Sequence, residues 1–219
     1  MGRRIFWMII GNILLGIGSG CFRLAELGLD AYSCLVLGCS DLTGISFGTT
    51  MLGLNLMLLV VMVILDRKHI HVGTVANLVM VGYVSDGTVW LLQEVLGIHP
   101  GGFGQSLFLL AGLLLVGLGI ALYTTPNLGV SPYDDMAFII EERSKHRIKF
   151  HYARIIGDVV SVLAGVAFAL ITGESVFRVA GIGTICSAVL TGLIISFFKR
   201  HVAVPLVWGR KKDEPKSEN

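Results

Sequence analysis

The chain has 219 residues, 54% of them hydrophobic and only 15% charged, with a mean hydropathy of +0.78 and a formal net charge of +2. That balance excludes an ordinary water-soluble domain, and the small net charge hides an asymmetry of lysine and arginine that argues for membrane topology rather than for nucleic acid. It describes an all-α integral membrane protein, because the apolar runs are continuous where a membrane barrel strand would alternate with period two.

Six runs are long enough to cross a hydrocarbon core, which needs roughly 20 apolar residues per helix, and they fall at about 5–25, 48–65, 72–95, 105–125, 152–172 and 180–198. The first follows Met1-Gly2-Arg3-Arg4 with neither a cleavage pattern nor a myristoylation signal, and reads as a retained signal anchor. Gly11, Gly16, Gly18 and Gly20 give it a smooth face for close helix approach. Arg23 and Glu26 at its far end are expected to snorkel to the headgroups.

Leu27-Gly28-Leu29-Asp30-Ala31-Tyr32 comes next, and it returns 101 positions later as Leu128-Gly129-Val130-Ser131-Pro132-Tyr133. The context repeats with it. Ile45-Ser46-Phe47 is echoed by Ile148-Lys149-Phe150, Asn55 by Asp158, and Gly73-Thr74 with Gly82 by Gly183-Thr184 with Gly192. Asp30 and Ser131 stand where a helix N-cap would, and Pro132 and Asp134 suit the first turn that follows Ser131. A short helix is therefore expected after the first span of each repeat, the first ending at about Leu37 and the second at about Glu142.

Polar residues inside spans are costly and usually face a bundle interior or an aqueous cavity. Asn55 lies in the second span, Thr74, Asn77, Ser85 and Asp86 in the third, Asp158 in the fifth, and Thr184 and Ser187 in the sixth. Arg154 stands one turn before Asp158, an easy i,i+4 pair. Cys21, Cys34, Cys39 and Cys186 show no metal-binding spacing, and His69, His71, His99, His146, His151 and His201 fall at span ends or in loops. No intramembrane nucleophile with a base at depth is legible, so no enzyme activity and no cofactor are expected. The residues 201–208 are expected to rest on the interface, and the charged tail from Gly209 to Asn219 to be disordered.

Lysine and arginine set the orientation. Arg3, Arg4, Arg67, Lys68, Arg143, Lys145, Arg147, Lys149, Lys199, Arg200 and the tail lie on one side of a six-span drawing, against Arg23 and Arg178 on the other, so both termini are expected to be cytoplasmic. Three spans per repeat turn the second copy over. The fold expected is thus six transmembrane helices as two inverted three-helix repeats, residues 1–104 and 105–200, with a cytoplasmic tail at 201–219.

The Leu-Gly-x-x-x-Tyr element in both halves, with Gly73-Thr74-Val75-Ala76-Asn77, Gly82 and Asp86, resembles the YczE/YyaS/YitT group of bacterial membrane proteins, which usually carry tryptophan where Tyr32 and Tyr133 stand. The resemblance implies a multi-pass protein of the bacterial inner membrane. The function expected is a small secondary transporter or exporter of a polar metabolite. Alternatives are a non-transporting accessory subunit and the substrate-binding component of an energy-coupled vitamin importer. Expected partners are a small polar solute and the lipid bilayer, with a second copy or a partner membrane protein also compatible. The solute is expected between the halves, against Asn55, Thr74, Asn77, Asp86, Tyr133, Asp134, Asp158 and Thr184. For Thr74, Asn77, Thr184 and Ser187 hydrogen bonding between helices is the competing role. The sign of the solute's charge stays open, since helix N-termini favour an anion and the acids a cation.

Overall fold

The computed structural model describes residues 1–65 and 70–209. Arg67, Lys68, His69 and the tail from residue 210 onward lie outside them, and with them most of the stretch expected to be disordered. The ordered elements are α1 (Gly2–Ala25), α2 (Ala31–Thr43), α3 (Phe47–Leu65), α4 (Val72–Trp90), α5 (Phe103–Thr124), α6 (Pro132–Arg143), α7 (Phe150–Thr172), α8 (Val176–Val179), α9 (Ile182–Phe198) and α10 (Val204–Trp208). A π-helical turn extends α4 to Val95, and another joins α9 to α10. Six helical segments are long and apolar enough to cross a bilayer, in agreement with the six runs in the sequence. Helices α2 and α6 are the short ones expected after α1 and α5.

Glycines decide how the spans meet. A Cβ on Gly11 would lie 2.5 Å from the Tyr123 amide, one on Gly18 would lie 2.8 Å from that of Val116, and one on Gly119 would lie 2.6 Å from that of Leu15. These contacts run in opposite senses along the two chains, so α1 and α5 form an antiparallel central pair at near-backbone contact. Helix α4 lies parallel to α1, with Gly16 against Val81 and Val84 and Gly20 against Ser85 and Thr88. In the same way α9 lies parallel to α5, with Gly183 against Leu109 and Gly117 against Ile194.

The short helices cross between the halves. Helix α2 packs on α7, and α6 packs on both α3 and α7. Gly38 and Gly165 set the first contact, since a Cβ on Gly38 would lie 2.6 Å from the Gly165 carbonyl oxygen. That contact explains why α2 runs past Leu37 to Thr43. The lack of a side chain at Gly38 serves close approach, and the helix ends at Gly44, whose φ of 69° forms the left-handed cap. After α9 the chain stays ordered. The segment 199–208 continues the helix and packs back on α1, burying Ala203 and Val207, with Arg3 Nε donating to the Leu206 carbonyl at 2.8 Å.

Candidate functional site

The repeated Leu-Gly elements are clasps between the halves. The first amides of a helix have no intrahelical partner, an expensive state away from water. Gly183 N near the start of α9 donates to the Leu27 carbonyl at 2.7 Å, and Gly73 N near the start of α4 donates to the Leu128 carbonyl at 2.8 Å. Each loop therefore completes a helix of the other half. The turns need glycine twice over: φ is +99° at Gly28 and +118° at Gly129, and a Cβ would lie 2.3 Å from Gly181 N and 2.6 Å from Thr74 Oγ1 respectively. Thr74 and Thr184 belong to these clasps. Their hydroxyls accept from His71 N at 3.4 Å and Gly181 N at 3.3 Å, one turn back in their own helices.

Beyond each clasp the chain turns into a short helix whose N-terminus points at the other's. Tyr32 on α2 and Tyr133 on α6 stack with ring centroids 4.4 Å apart and planes 23° apart. Tyr32 Oη donates to Asn55 Oδ1 at 2.8 Å, and Tyr133 Oη donates to Asp158 Oδ1 at 2.7 Å with Ser161 Oγ at 3.2 Å. Asn55 is ten residues from Leu65 and Asp158 eight from Phe150, so the pair lies about 12–15 Å in from that end of the bundle at 1.5 Å per residue. Against a hydrocarbon core of about 30 Å, that is near its middle.

Arg154 organises the basic-end side of this pair. Its guanidinium bonds Asp134, lies 3.3 Å from Asp158 and sits 4.9 Å from the Tyr133 ring centre. Asp134 also accepts from Tyr123 Oη at 2.8 Å, while its own amide donates to Ser131 Oγ at 3.1 Å in the expected N-cap. Asp30 caps α2 likewise, accepting from Ser33 N at 3.2 Å.

Of the eight residues read from sequence, Asn55, Tyr133, Asp134 and Asp158 are brought together here. The other four lie apart. Asn77 Nδ2 donates to Asn12 Oδ1 at 2.9 Å in the buried contact between α4 and α1, and Thr74 and Thr184 close the clasps. Asp86 accepts from Arg23 Nη1 at 2.7 Å and from Gly48 N at 2.8 Å, tying α1, α3 and α4 together far from the basic end. Arg23 thus turns inward, where snorkelling was expected, because Asp86, Ser85 and the Phe47 ring offer its charge partners within the protein. Near that end Asp41 lies 3.7 Å from Arg178, and burial pushes its carboxyl above the ordinary range despite that guanidinium. Tyr32, Arg154 and Asp30 join this cluster although the sequence reading did not place them in it. The equivalence of Tyr32 with Tyr133 was the signal for the first.

The two ends differ. In the first half α3 closes on α4, with Gly48 and Gly82 in backbone contact and both buried. Their sequence equivalents, His151 and Gly192, are exposed, and α7 and α9 make no comparable packing among the described residues. A Cβ on Gly192 would meet nothing within 4 Å.

Relatives extend over almost the whole chain. An uncharacterized protein of Haemophilus influenzae is 27% identical over 190 residues, 87% of this chain and 80% of that one. The uncharacterized protein YyaS of Bacillus subtilis is 27% identical over 199 residues, 90% of each chain. The uncharacterized membrane protein YczE of the same organism is 22% identical over 188 residues, 85% of this chain and 81% of that one. No solved structure matches the chain. The resemblance to the YczE and YyaS group is borne out, and with a family model matching residues 2–200 this multi-pass membrane protein belongs to the family of unknown function DUF6198.

Proposed function

We propose that the protein is a small secondary transporter of a polar metabolite, built as two inverted three-helix repeats, 1–104 and 105–200, that work by alternating access around the Tyr32–Tyr133 pair. The observation that carries this reading is the unequal closure of equivalent contacts: Gly48 meets Gly82 while His151 stands apart from Gly192. Two halves of one design, one shut and the other open around a shared polar centre, have the asymmetry that alternating access requires. The matched clasps and head-to-head short helices support the inverted relation. Excess lysine and arginine at the open end supports placing that end, and both termini, in the cytoplasm of a bacterial inner membrane. The solute site in this reading comprises Tyr32, Asn55, Tyr133, Asp134, Asp158 and Arg154. Asp86, Asn77, Thr74 and Thr184 hold the helices that move around it.

The test couples the two ends. In a variant freed of its four natural cysteines, His151→Cys and Gly192→Cys are joined by oxidation, and Thr50→Cys, buried at the closed end, reports on the other side. Locking the first pair should make residue 50 reactive to an impermeant thiol reagent added from outside, with reduction reversing it. If residue 50 stays equally protected in the locked, folded protein, the two ends are uncoupled and transport by alternating access is lost as a reading. An accessory subunit would show that second result.

A further inference from the structure

We infer that the solute is a cation, and that the Arg154 head group occupies the place of its charged group as a tethered stand-in. This rests on the transport reading and adds the substrate class. Two opposed helix N-termini suggest an anion at first sight. In this protein those termini are already answered from within, because Asp30 accepts from Ser33 N and Ser131 accepts from Asp134 N, and an anion would have to displace them. The charges around the tyrosines point the same way. Asp134 and Asp158 touch Arg154, so two carboxylates face one guanidinium and the centre is negative.

The geometry around Arg154 is that of a cation site. Two carboxylates take the guanidinium edge and the Tyr133 face lies beneath it, a combination that suits an amine or a guanidine. This charge belongs to one half only. Where the second half has Asp158, Arg154 and Asp134, the equivalent positions of the first half carry Asn55, Met51 and Ser33. The charged side chains are also those that remain reachable, with Arg154, Asp134 and Asp158 exposed by 35%, 29% and 36%, whereas Met51 is buried. A solute cation entering from the open end can therefore trade places with Arg154, carboxylate for carboxylate, leaving no acid unpaired in the core.

The test uses the full chain in lipid nanodiscs with guanidinium and methylammonium as probes, and acetate and phosphate as anionic controls at equal ionic strength. Arg154→Gln empties the place. Millimolar guanidinium or methylammonium should then raise Tm by at least about 3 °C, at concentrations about tenfold below those that act on the wild type. Asp158→Asn in the same background should abolish the shift. Where Arg154→Gln does not fold, the wild-type chain carries the test: guanidinium must stabilise it saturably and Asp158→Asn must remove that effect. Stabilisation by phosphate or acetate in place of the cations, or none by any probe, overturns the inference. In either case the reactivity of residue 50 in the protein locked through residues 151 and 192 still reports separately on transport.

Discussion

Tyr32 and Tyr133 occupy equivalent positions of the repeat yet make unequal bonds, one to an amide and the other to a carboxylate. A neutral hydrogen bond is worth about 1 kcal/mol and one to a charged group about 1.5–3, while side-chain bonds inside membrane proteins average only about 0.6. Ring stacking survives removal of the hydroxyl. Tyr32→Phe should consequently cost no more than about 1 kcal/mol in reversible unfolding from detergent, and Tyr133→Phe about 1–2 kcal/mol, because it deprives Asp158 of a donor. Equal losses would mean that Asp158 gains nothing particular from Tyr133. At this scale the Arg154–Asp158 pair was legible from i,i+4 spacing alone, since both partners lie on one helix. The stack was not. Sequence identifies equivalent residues, but whether equivalents touch depends on their lying where the halves meet, which no local pattern records. Asn77 shows the same limit, since its partner Asn12 lies on a helix 65 residues away.

Glycine carries three different meanings here, and the element scale separates them. In α1 and α5 it permits helices to touch, at Gly44 it ends one, and at Gly28 and Gly129 it lets a loop turn with positive φ and press against the other half. A residue with Cβ in such a turn costs roughly 1–2 kcal/mol in backbone strain before any clash. At Gly28 the clash is with backbone at 2.3 Å, which cannot swing aside. Gly28→Ala and Gly129→Ala should each lower Tm by more than about 5 °C or abolish folded yield. Gly53→Ala and Gly87→Ala, in helix interiors with nothing within 4 Å, should hold or raise Tm. Similar losses at all four sites would mean that the clasps contribute no more than ordinary helix propensity. The six spans, the two short helices and the N-caps at Asp30 and Ser131 could be read beforehand, because hydropathy and capping are local. The true length of α2 could not, because Gly38 looks the same as a terminator and as a contact. For Thr74 and Thr184 the sequence offered both a ligand role and a structural one, and the hydrogen bonds that close the starts of their own helices depend on how the turns before them fold.

For the molecule as a whole, the proposed transport cycle gives Asp86 the part of a lock on the closed end, since one carboxylate binds Arg23 of α1 and the Gly48 amide of α3 while itself riding on α4. The sequence equivalent in the second half is Ser196, which donates to the Gly192 carbonyl of its own helix and ties nothing across. Asp86→Asn removes the charge, weakens both bonds and leaves Arg23 without its bonded carboxylate, a change worth about 1–3 kcal/mol for partly buried groups. That cost falls on the state in which the end is shut. A differential of this size shifts a two-state equilibrium by about 5–150-fold, toward the state in which the basic end closes. The fraction of His151→Cys/Gly192→Cys protein that oxidises at a fixed time should rise accordingly when Asp86→Asn is added, and residue 50 should gain reactivity from the outer side in the same preparation. Asp41→Asn serves as the control, because Asp41 lies near the same end but pairs with Arg178 and, among the described residues, makes no hydrogen bond to α3 or α4. An Asp86→Asn protein that is folded yet cross-links at the parental rate would show that the Arg23–Asp86 pair holds the helices together without governing which end of the bundle is open.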